Sequence, residues 1–315
     1  MLRRVADSLY WMSRNIERAE NNARVLGVQL IKELEGSEKE ITKNHNWNTI
    51  LEICASASEF QHLYGNRLPK EEAVIEYITF SEHNPNSIYN CAKIARENAR
   101  ITRDHVPNDL WVSVNEFYLY LNETSQLQWN SKHIHSYLQQ VKMASLTTQG
   151  IIESLMPQDV CYHIINIGKW LERAENTIRI VNEACEITNR IIKGNKIEHF
   201  HCGHSALQLV NGHNAYLKQA RPKMDSRQVL PFLVSDSTFP RSIRYCLNKV
   251  NRGIQQLENE GAFVYSRQLK VVMNDLVERC NKLKVENMNL MDHKSDFFEL
   301  IKGDSWNNAP KKRIG

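Results

Sequence analysis

The sequence predicts an all-α protein made of two duplicated helical bundles that are related by a pseudo-twofold axis and share one core. Only 12 glycines and 8 prolines occur among 315 residues, fewer turn-forming residues than a typical globular chain carries. Long stretches place apolar residues three and four positions apart, which is the period of a helix with one buried face. The same pattern returns 155 residues later and indicates an internal duplication.

The first helix, predicted from Leu2 to about Leu34, shows this repeat most clearly. Its apolar stripe continues without a break from Val5 to Leu30. A second stripe of the same spacing extends from Val160 to Cys185. The segment Ile-Glu-Arg-Ala-Glu-Asn at 16–21 returns as Leu-Glu-Arg-Ala-Glu-Asn at 171–176, so the two helices are copies of one another.

The other helices of the first half are separated by recognisable breaks. Gly65 and Pro69 interrupt the second helix, and Pro85 lies in the first turn of a later helix, where its missing N–H costs nothing. The predicted spans, in order, are 47–64, 74–78 and 85–104, followed by two helices between 107 and 156.

The second half keeps the same register. Residues 229–233 correspond to 74–78, and Pro240 corresponds to Pro85. Pro157 separates the two copies, so the predicted domains are 1–156 and 157–302. The remaining residues, 303–315, lack helical periodicity and are expected to form a loose tail.

Polar residues also return in both copies, and these are candidate binding residues. At 100° per residue they fall largely on the face turned away from the apolar stripe. Two interpretations of this face are open. In the first, it is solvated and carries intrahelical ion pairs, such as Glu20 with Arg24. In the second, it contacts an acidic group from elsewhere in the fold or from a ligand. The candidates are Arg14, Glu17, Arg18, Asn21 and Arg24 in the first copy, and Lys169, Glu172, Arg173, Asn176 and Arg179 in the second.

Like charges within these helices favour the acidic group. Arg14 and Arg18 lie one turn apart, which costs roughly 0.2–0.5 kcal/mol in an isolated helix. Lys169 and Arg173 repeat that arrangement. We therefore predict a negative group against each pair, with a glutamate of the other copy ranked ahead of a bound anion. The substitution Arg18→Ala is then expected to lose roughly 3–5 kcal/mol if that group is buried, against about 0.5 kcal/mol for a solvated face.

A second candidate site is an arginine face in the first half. Arg96, Arg100 and Arg103 follow the spacing i, i+4, i+7, and guanidinium groups bind carboxylates and phosphates through two parallel hydrogen bonds. The face is suited to an acidic substrate, a phosphate or an acidic loop of a partner. The alternative is that Glu97 and nearby acids simply pair with it. In the second copy this block is replaced, and the remaining candidates at helix starts are Ser87 and Arg241.

Several kinds of site are excluded or disfavoured. His199, His201 and His204 lie close together around Cys202, but no second Cys/His pair follows at a standard distance, so we predict that they bind no metal. There is no glycine-rich phosphate loop and no Gly-x-Ser-x-Gly nucleophile motif. A net charge of +4 disfavours a nucleic-acid binder. Seven scattered cysteines, no signal peptide and no apolar span predict a cytoplasmic protein without a membrane partner.

Five segments carry a resemblance to a known family. They are residues 1–14, 16–21, 95–100, 109–115 and 239–244. With them the chain resembles the bacterial alpha-E domain family along nearly its whole length. The resemblance implies an all-helical domain named for a Glu-Arg motif, which is carried here by Glu17-Arg18 and Glu172-Arg173.

The resemblance also implies a function. Members of the family are typically encoded beside, or fused to, circularly permuted ATP-grasp proteins and transglutaminase-like proteases, an association with peptide synthesis or modification. We therefore expect a helical accessory subunit that works without a cofactor beside an ATP-grasp ligase acting in trans, and that presents a docking or substrate-holding surface to a peptide or an acidic small molecule. The alternative is an enzyme in its own right, with acyl or amide transfer at the arginine-rich face; a nucleic-acid binder ranks behind both.

Overall fold

The described part of the chain is entirely helical. The computed structural model describes residues 3–34, 40–65, 69–124, 131–190, 196–219, 226–261 and 278, without the side chains of 40–46, 131–132, 188–190, 196–201 and 226–227. No strand occurs within these ranges, which confirms the predicted all-α class. The predicted tail 303–315 and the end of the second half lie outside them.

The helices follow one another with short connections. The first seven are α1 Arg3–Leu34, α2 Glu40–Ile53, α3 Ala57–Tyr64, α4 Glu71–Thr79, α5 Ile88–Ile101, α6 Asn108–Thr124 and α7 Ser131–Leu155. The next five are α8 Val160–Arg190, α9 Lys196–Leu209, α10 His213–Gln219, α11 Ser226–Ser235 and α12 Ile243–Asn259. A short 3-10 helix, Arg103–His105, follows α5. Within the described ranges, no helix is both long and apolar enough to cross a membrane.

The chain forms two compact units, Met1–Asn176 and Thr177–Gly315. Their boundary falls within α8, so the first half of this long helix packs in the first unit. The boundary predicted at Pro157 concerns the sequence repeat, and it stays a prediction.

In the first unit α1 is the central helix, packed against α5 and α7, while α6 contacts both of those helices. Its apolar stripe is fully buried, as at Leu9, Met12 and Leu26. The polar side of α1 is buried too: Glu17 is 1% exposed and Asn21 likewise 1%. The interpretation of that side as a solvated face is therefore wrong, because α1 is enclosed by protein around most of its circumference.

The predicted helix 47–64 is in fact two helices, α2 and α3, and the sequence has no glycine or proline at the break. Ala55 adopts a left-handed conformation with φ of 51°. The Ser56 backbone N–H then donates to the Leu51 carbonyl at 2.9 Å, a bond that closes the end of α2. The Ser56 hydroxyl also bonds to the Cys54 carbonyl and lies 3.2 Å from the Asn84 side-chain oxygen. The bond to Asn84 is tertiary, and it supports a turn that the local residue types do not predict.

In the second unit α11 packs against α9 and α12, and α10 packs against α9. The core of this unit is apolar and fully buried at Leu207, Tyr216, Leu233 and Cys246. Pro231 lies inside α11, where it supplies no backbone N–H.

Local features of the first unit recur in the second. Ser87 caps the N-terminus of α5, and Ser242 caps α12, each accepting a 3.1 Å hydrogen bond from the backbone N–H three residues on. The carbonyl preceding each cap residue accepts a side-chain bond, in the first unit from Asn22 of α1 at 2.7 Å and in the second unit from Thr177 of α8 at 2.8 Å. The two donors, Asn22 and Thr177, are 155 residues apart in the chain, and so are the two acceptors, Asn86 and Arg241.

Candidate functional site

The candidate site lies where α1 approaches the first half of α8. Gly168 of α8 faces α1 so closely that a Cβ atom there would meet the Tyr10 carbonyl at 2.7 Å and would collide with the Ser13 hydroxyl. Ser13 and Gly168 occupy the same position in the two sequence copies. Small residues at this position allow the two backbones to come together, which brings the polar side chains that follow into contact.

The two Glu-Arg motifs pair with each other across this approach. Arg173 donates to both carboxylate oxygens of Glu17, at 2.6 and 2.8 Å. Arg18 donates to both oxygens of Glu172, at 2.7 and 2.9 Å. Each glutamate therefore receives a bidentate arginine from the other copy, the strong and directional form of a charge-assisted hydrogen bond.

Arg14 extends the pairing by one turn. Its Nε donates to Glu172 at 2.7 Å, and its Nη2 donates to Glu175 at 2.5 Å. A third donor, Nη1, bonds to the Tyr10 hydroxyl at 3.0 Å. Glu172 is thus the predicted negative group between Arg14 and Arg18, and it comes from the other copy. Of the two predicted sources of an acidic group, the fold and a bound ligand, the structure shows the one within the fold for Arg14 and Arg18.

This cluster is buried, and burial shifts its proton equilibria. The side chains of Glu17 and Glu172 are 1% and 0% exposed. Burial acts against the charge of Arg14, yet the attraction of Glu172 and Glu175 outweighs it and raises the pKa of Arg14 above its ordinary value. Burial, with the charge of Arg173 beside it, lowers the pKa of Lys169. Lys169 is therefore the weakest cation of the cluster.

Lys169 differs from its counterpart Arg14 in its surroundings. Its Nζ lies 3.5 Å from the half-exposed carboxylate of Glu153, which also accepts a 2.7 Å hydrogen bond from the Tyr162 hydroxyl. The Trp170 ring lies 4.6 Å from the Lys169 nitrogen and 4.7 Å from the Arg173 guanidinium carbon. These contacts place the second cationic pair between a carboxylate and an aromatic face.

One side of the cluster is tied to α7 and to the loop before α5. Gln149 of α7 donates to the Glu17 carboxylate at 3.2 Å. Arg18 donates its Nη1 to the Asn86 side-chain oxygen at 2.8 Å. Asn86 in turn donates to the Ala55 carbonyl at 2.7 Å. The ion pairs therefore fix the loop before α5 as well as α8.

The other predicted residues of the stripes have separate environments. Arg24 donates to Glu20 at 2.7 Å and to Asn21, both within α1. Asn176 is buried at the end of the first unit. Arg179 is half-buried in the second unit. Ser87 acts as a helix cap, and Arg241 contributes its backbone carbonyl to Thr177.

The predicted arginine face is a separate surface on α5 and α6. Arg96 donates its Nε to Asn115 at 2.8 Å and its Nη1 to Glu97 at 2.8 Å. Its guanidinium carbon lies 5.0 Å from the centre of the Tyr118 ring and 5.9 Å from that of Trp111. Two hydrogen bonds and two aromatic rings hold this guanidinium in one orientation.

The other two arginines of the face are exposed. Arg100 donates to the same Glu97 carboxylate at 3.0 Å, so the predicted pairing with Glu97 is present for two of the three arginines. Arg103 belongs to the 3-10 helix rather than to α5, and its guanidinium carbon lies 5.6 Å from the Trp111 ring. Arg103 makes no ion pair with any residue that the structure describes.

The predicted histidine group is only partly within the described residues. The side chains of His199 and His201 lie outside them. His204 faces His213, with their ring centres 5.2 Å apart. The part of the chain that the structure describes contains no group of three or more His, Cys, Asp or Glu side chains placed to hold a metal ion.

Sequence reasoning missed several members of the central cluster. Tyr10, Asn86, Gln149 and Glu153 contact residues of this cluster, yet nothing in their spacing marks them. Glu175 lies within the repeated segment 171–176 but was not among the candidates. The sequence did contain one signal for the close approach of α1 to α8. Gly168 is an isolated glycine in a strong helical pattern, and such a glycine often marks a site where another backbone comes near.

Comparisons with known proteins give one family. The family model Alpha-E, described as a predicted alpha-helical domain with a conserved ER motif, matches residues 1–304. Two uncharacterized proteins, from Mycobacterium bovis and Mycobacterium tuberculosis, are each 21% identical to the chain over 320 residues. The match covers 95% of this chain and 35% of each relative, so the chain spans about a third of their length. No solved structure matches the chain.

Proposed function

Because the chain belongs to the Alpha-E family, we propose that it is a cytoplasmic helical accessory domain of an ATP-grasp-type peptide or amide ligase system. In this proposal the domain supplies a docking or substrate-holding surface and the ligase supplies the chemistry. The ligase acts in trans, and the surface receives a peptide or an acidic small molecule. The ATP-grasp association is the one implied by the family resemblance.

The observation that carries this proposal is the mutual pairing of the two Glu-Arg motifs. Glu17 pairs with Arg173, and Glu172 pairs with Arg18, in positions that are almost completely screened from solvent. A carboxylate already held by a bidentate arginine is a poor general base or nucleophile. The family motif therefore fits an architectural role, which leaves recognition to the surface of the domain.

The length of the relatives supports a domain that works with further protein. In both mycobacterial proteins the matched region accounts for 35% of the sequence. The family resemblance implies that members of this family occur either fused to an ATP-grasp protein or encoded separately from it. The same unit in a longer chain is consistent with that arrangement.

We also propose that the chain is a duplication whose halves, 1–156 and 157–302, are related by a pseudo-twofold axis. The exchange of partners between two identical Glu-Arg dipeptides is the pattern that a twofold produces. The caps Ser87 and Ser242, and the bonds from Asn22 and Thr177, support the same origin.

The proposal is tested with an ATP-grasp ligase from the same organism, the kind of partner that the family resemblance implies. The two proteins are co-expressed, purified through a tag on one of them, and assayed for ATP turnover with a peptide acceptor, with and without this chain. We expect a stable complex and at least a severalfold stimulation of turnover. Turnover that is the same without this chain, together with no complex by gel filtration, would show that the chain is not an accessory of that ligase.

A further inference from the structure

We propose that the surface formed by Arg96, Arg100 and Arg103 with Trp111 and Tyr118, here called the arginine–aromatic face, binds carboxylates of an acidic peptide segment. This inference rests on the proposed function, since it names the ligand class that the accessory domain would hold. The residues come from α5, the following 3-10 helix and α6, all within the first unit.

The charges of this face are unbalanced. Among the described ion pairs, Glu97 is the one carboxylate that pairs with this face, and it pairs with Arg96 and Arg100 but not with Arg103. Arg96 uses Nε and Nη1 on protein partners, and no bond joins its Nη2 to a described residue. Arg103 has the Trp111 ring as its described contact and no ion pair. Donors of fixed direction therefore remain available for a further anion.

Glu97 indicates which kind of anion fits. Its Oε1 accepts from Arg96 at 2.8 Å, and its Oε2 accepts from Arg100 at 3.0 Å. The protein thus already bridges two of these arginines with one planar carboxylate, whose two oxygens match a pair of N–H donors. An incoming carboxylate would repeat this geometry with the unused donors of Arg96 and with Arg103.

The aromatic rings of this face favour a peptide carboxylate over an inorganic phosphate. Phosphates are commonly held at helix N-termini, where backbone N–H groups point at the ligand. Arg96 and Arg100 lie in the C-terminal half of α5, while Trp111 lies in the first turn of α6 and meets Arg103 through its ring. The Trp111 and Tyr118 rings offer apolar contact area that suits a peptide better than an inorganic ion.

The face is also present only once. The residues equivalent to Arg96, Glu97 and Arg100 in the second half are Asn251, Arg252 and Gln255. A structural feature that both halves need is expected in both of them, and the helix caps and the Glu-Arg motif pairs do occur in both. A feature confined to one copy is better explained by a task that only one surface performs.

Binding of a labelled tri-glutamate peptide tests this proposal on the chain alone, with neither ligase nor ATP present. Fluorescence anisotropy of the peptide is followed with the native chain, with Arg103→Gln and with Arg252→Gln, an exposed arginine of the other half that serves as the matched control. We expect Arg103→Gln to weaken binding about tenfold, the loss of one charged hydrogen-bonded contact, and Arg252→Gln to change it less than about twofold. A tri-glutamine peptide is expected not to bind.

Three outcomes would overturn the proposal. The first is no binding of the tri-glutamate peptide, and the second is an equal loss in the Arg103→Gln and Arg252→Gln variants, which would mean attraction by net charge alone. The third is displacement by inorganic phosphate at the same concentration as unlabelled peptide, which would mean a general anion site. Circular dichroism melting confirms that both variants fold. Since the ligase is absent, failure here is distinct from failure of the accessory role, and either can stand without the other.

Discussion

The Glu17 carboxylate and the Arg173 guanidinium are joined by two hydrogen bonds, of 2.6 and 2.8 Å, across the approach of α1 to α8. Arg18 and Glu172 form the same pair with the roles exchanged. Because each motif places glutamate directly before arginine, each copy supplies the counter-charges that the other copy needs. A buried pair of this kind contributes little net stability over an apolar contact, but losing one partner is costly. The arrangement therefore selects one register between the two helices.

The first prediction concerns Glu17 itself. We expect Glu17→Gln to lower the free energy of unfolding by roughly 3–5 kcal/mol, because Arg173 would be left buried without its counter-charge. The matched control is Glu153→Gln, since Glu153 is 51% exposed and its bond to Lys169 is 3.5 Å long. That control is expected to cost no more than about 1 kcal/mol. Urea unfolding measures both, and equal losses would contradict the architectural role of the motif.

The second prediction concerns Arg18, for which the sequence predicted a loss of roughly 3–5 kcal/mol. Removal of Arg18 leaves Glu172, which is 0% exposed, with Arg14 as a remaining partner. We therefore expect Arg18→Ala to cost about 3 kcal/mol, the lower end of the range for breaking a buried pair. The double variant Arg14→Ala, Arg18→Ala is expected to cost more than the sum of the single changes, since only then is Glu172 left without an arginine from α1. A loss near 0.5 kcal/mol for Arg18→Ala, typical of a surface site, would be incompatible with this account.

Much of the fold was predictable because the repeat was visible in both the apolar and the polar residues. The spacing of the apolar stripe predicts α1 and α8 at the positions where the structure has them. The like charges of Arg14 and Arg18 predicted a nearby acidic group, which is Glu172. Repulsion retained in two copies is a physical signal, since it requires a compensating charge.

Other features depend on contacts that sequence spacing does not contain. The break at Ala55 is supported by the long-range bond from Ser56 to Asn84, whereas its residue types are compatible with a continuous helix. The burial of the polar side of α1 arises from the number of helices that surround it. The orientation of Arg96 depends on Asn115 and Trp111 of the next helix. Each of these is a long-range property, and a single helix pattern cannot specify it.

The third prediction uses two glycines within helices. Alanine is intrinsically favoured over glycine in a helix by about 1 kcal/mol. At Gly150 nothing lies within 4 Å of an added Cβ, so Gly150→Ala is expected to stabilise the protein by up to that amount. At Gly168 the added Cβ would meet the Tyr10 carbonyl at 2.7 Å. Because that neighbour is backbone, we expect Gly168→Ala to destabilise by about 1–3 kcal/mol in thermal unfolding. A stabilising Gly168→Ala would disprove the close approach of α1 and α8.

The fourth prediction concerns the thiol of Cys91, a fully buried residue of α5. Burial raises the pKa of the Cys91 thiol from its ordinary value of 9.0 to about 12, although the charge of Arg18 partly opposes the shift. The neutral thiol is thus the form that fits against the motif pairs. A thiolate there would place a further negative charge near Glu172, which acts in the same direction as burial.

This shift gives stability a defined dependence on alkaline pH. Below pH 9 the thiol is protonated in both the folded and the unfolded chain, so its contribution is complete. Above pH 9 the unfolded chain releases the proton while the folded chain keeps it, so the free energy of unfolding falls with a slope approaching about 1.4 kcal/mol per pH unit. The fall continues until the folded thiol also ionises near pH 12. Cys91→Ala is expected to make this slope shallower between pH 9 and 10, whatever its effect on absolute stability. Cys161 and buried tyrosines such as Tyr137, whose pKa values burial also raises, contribute equally in both proteins. Urea unfolding at intervals of 0.2 pH units measures it, and identical slopes in the native chain and Cys91→Ala would place the thiol in contact with solvent.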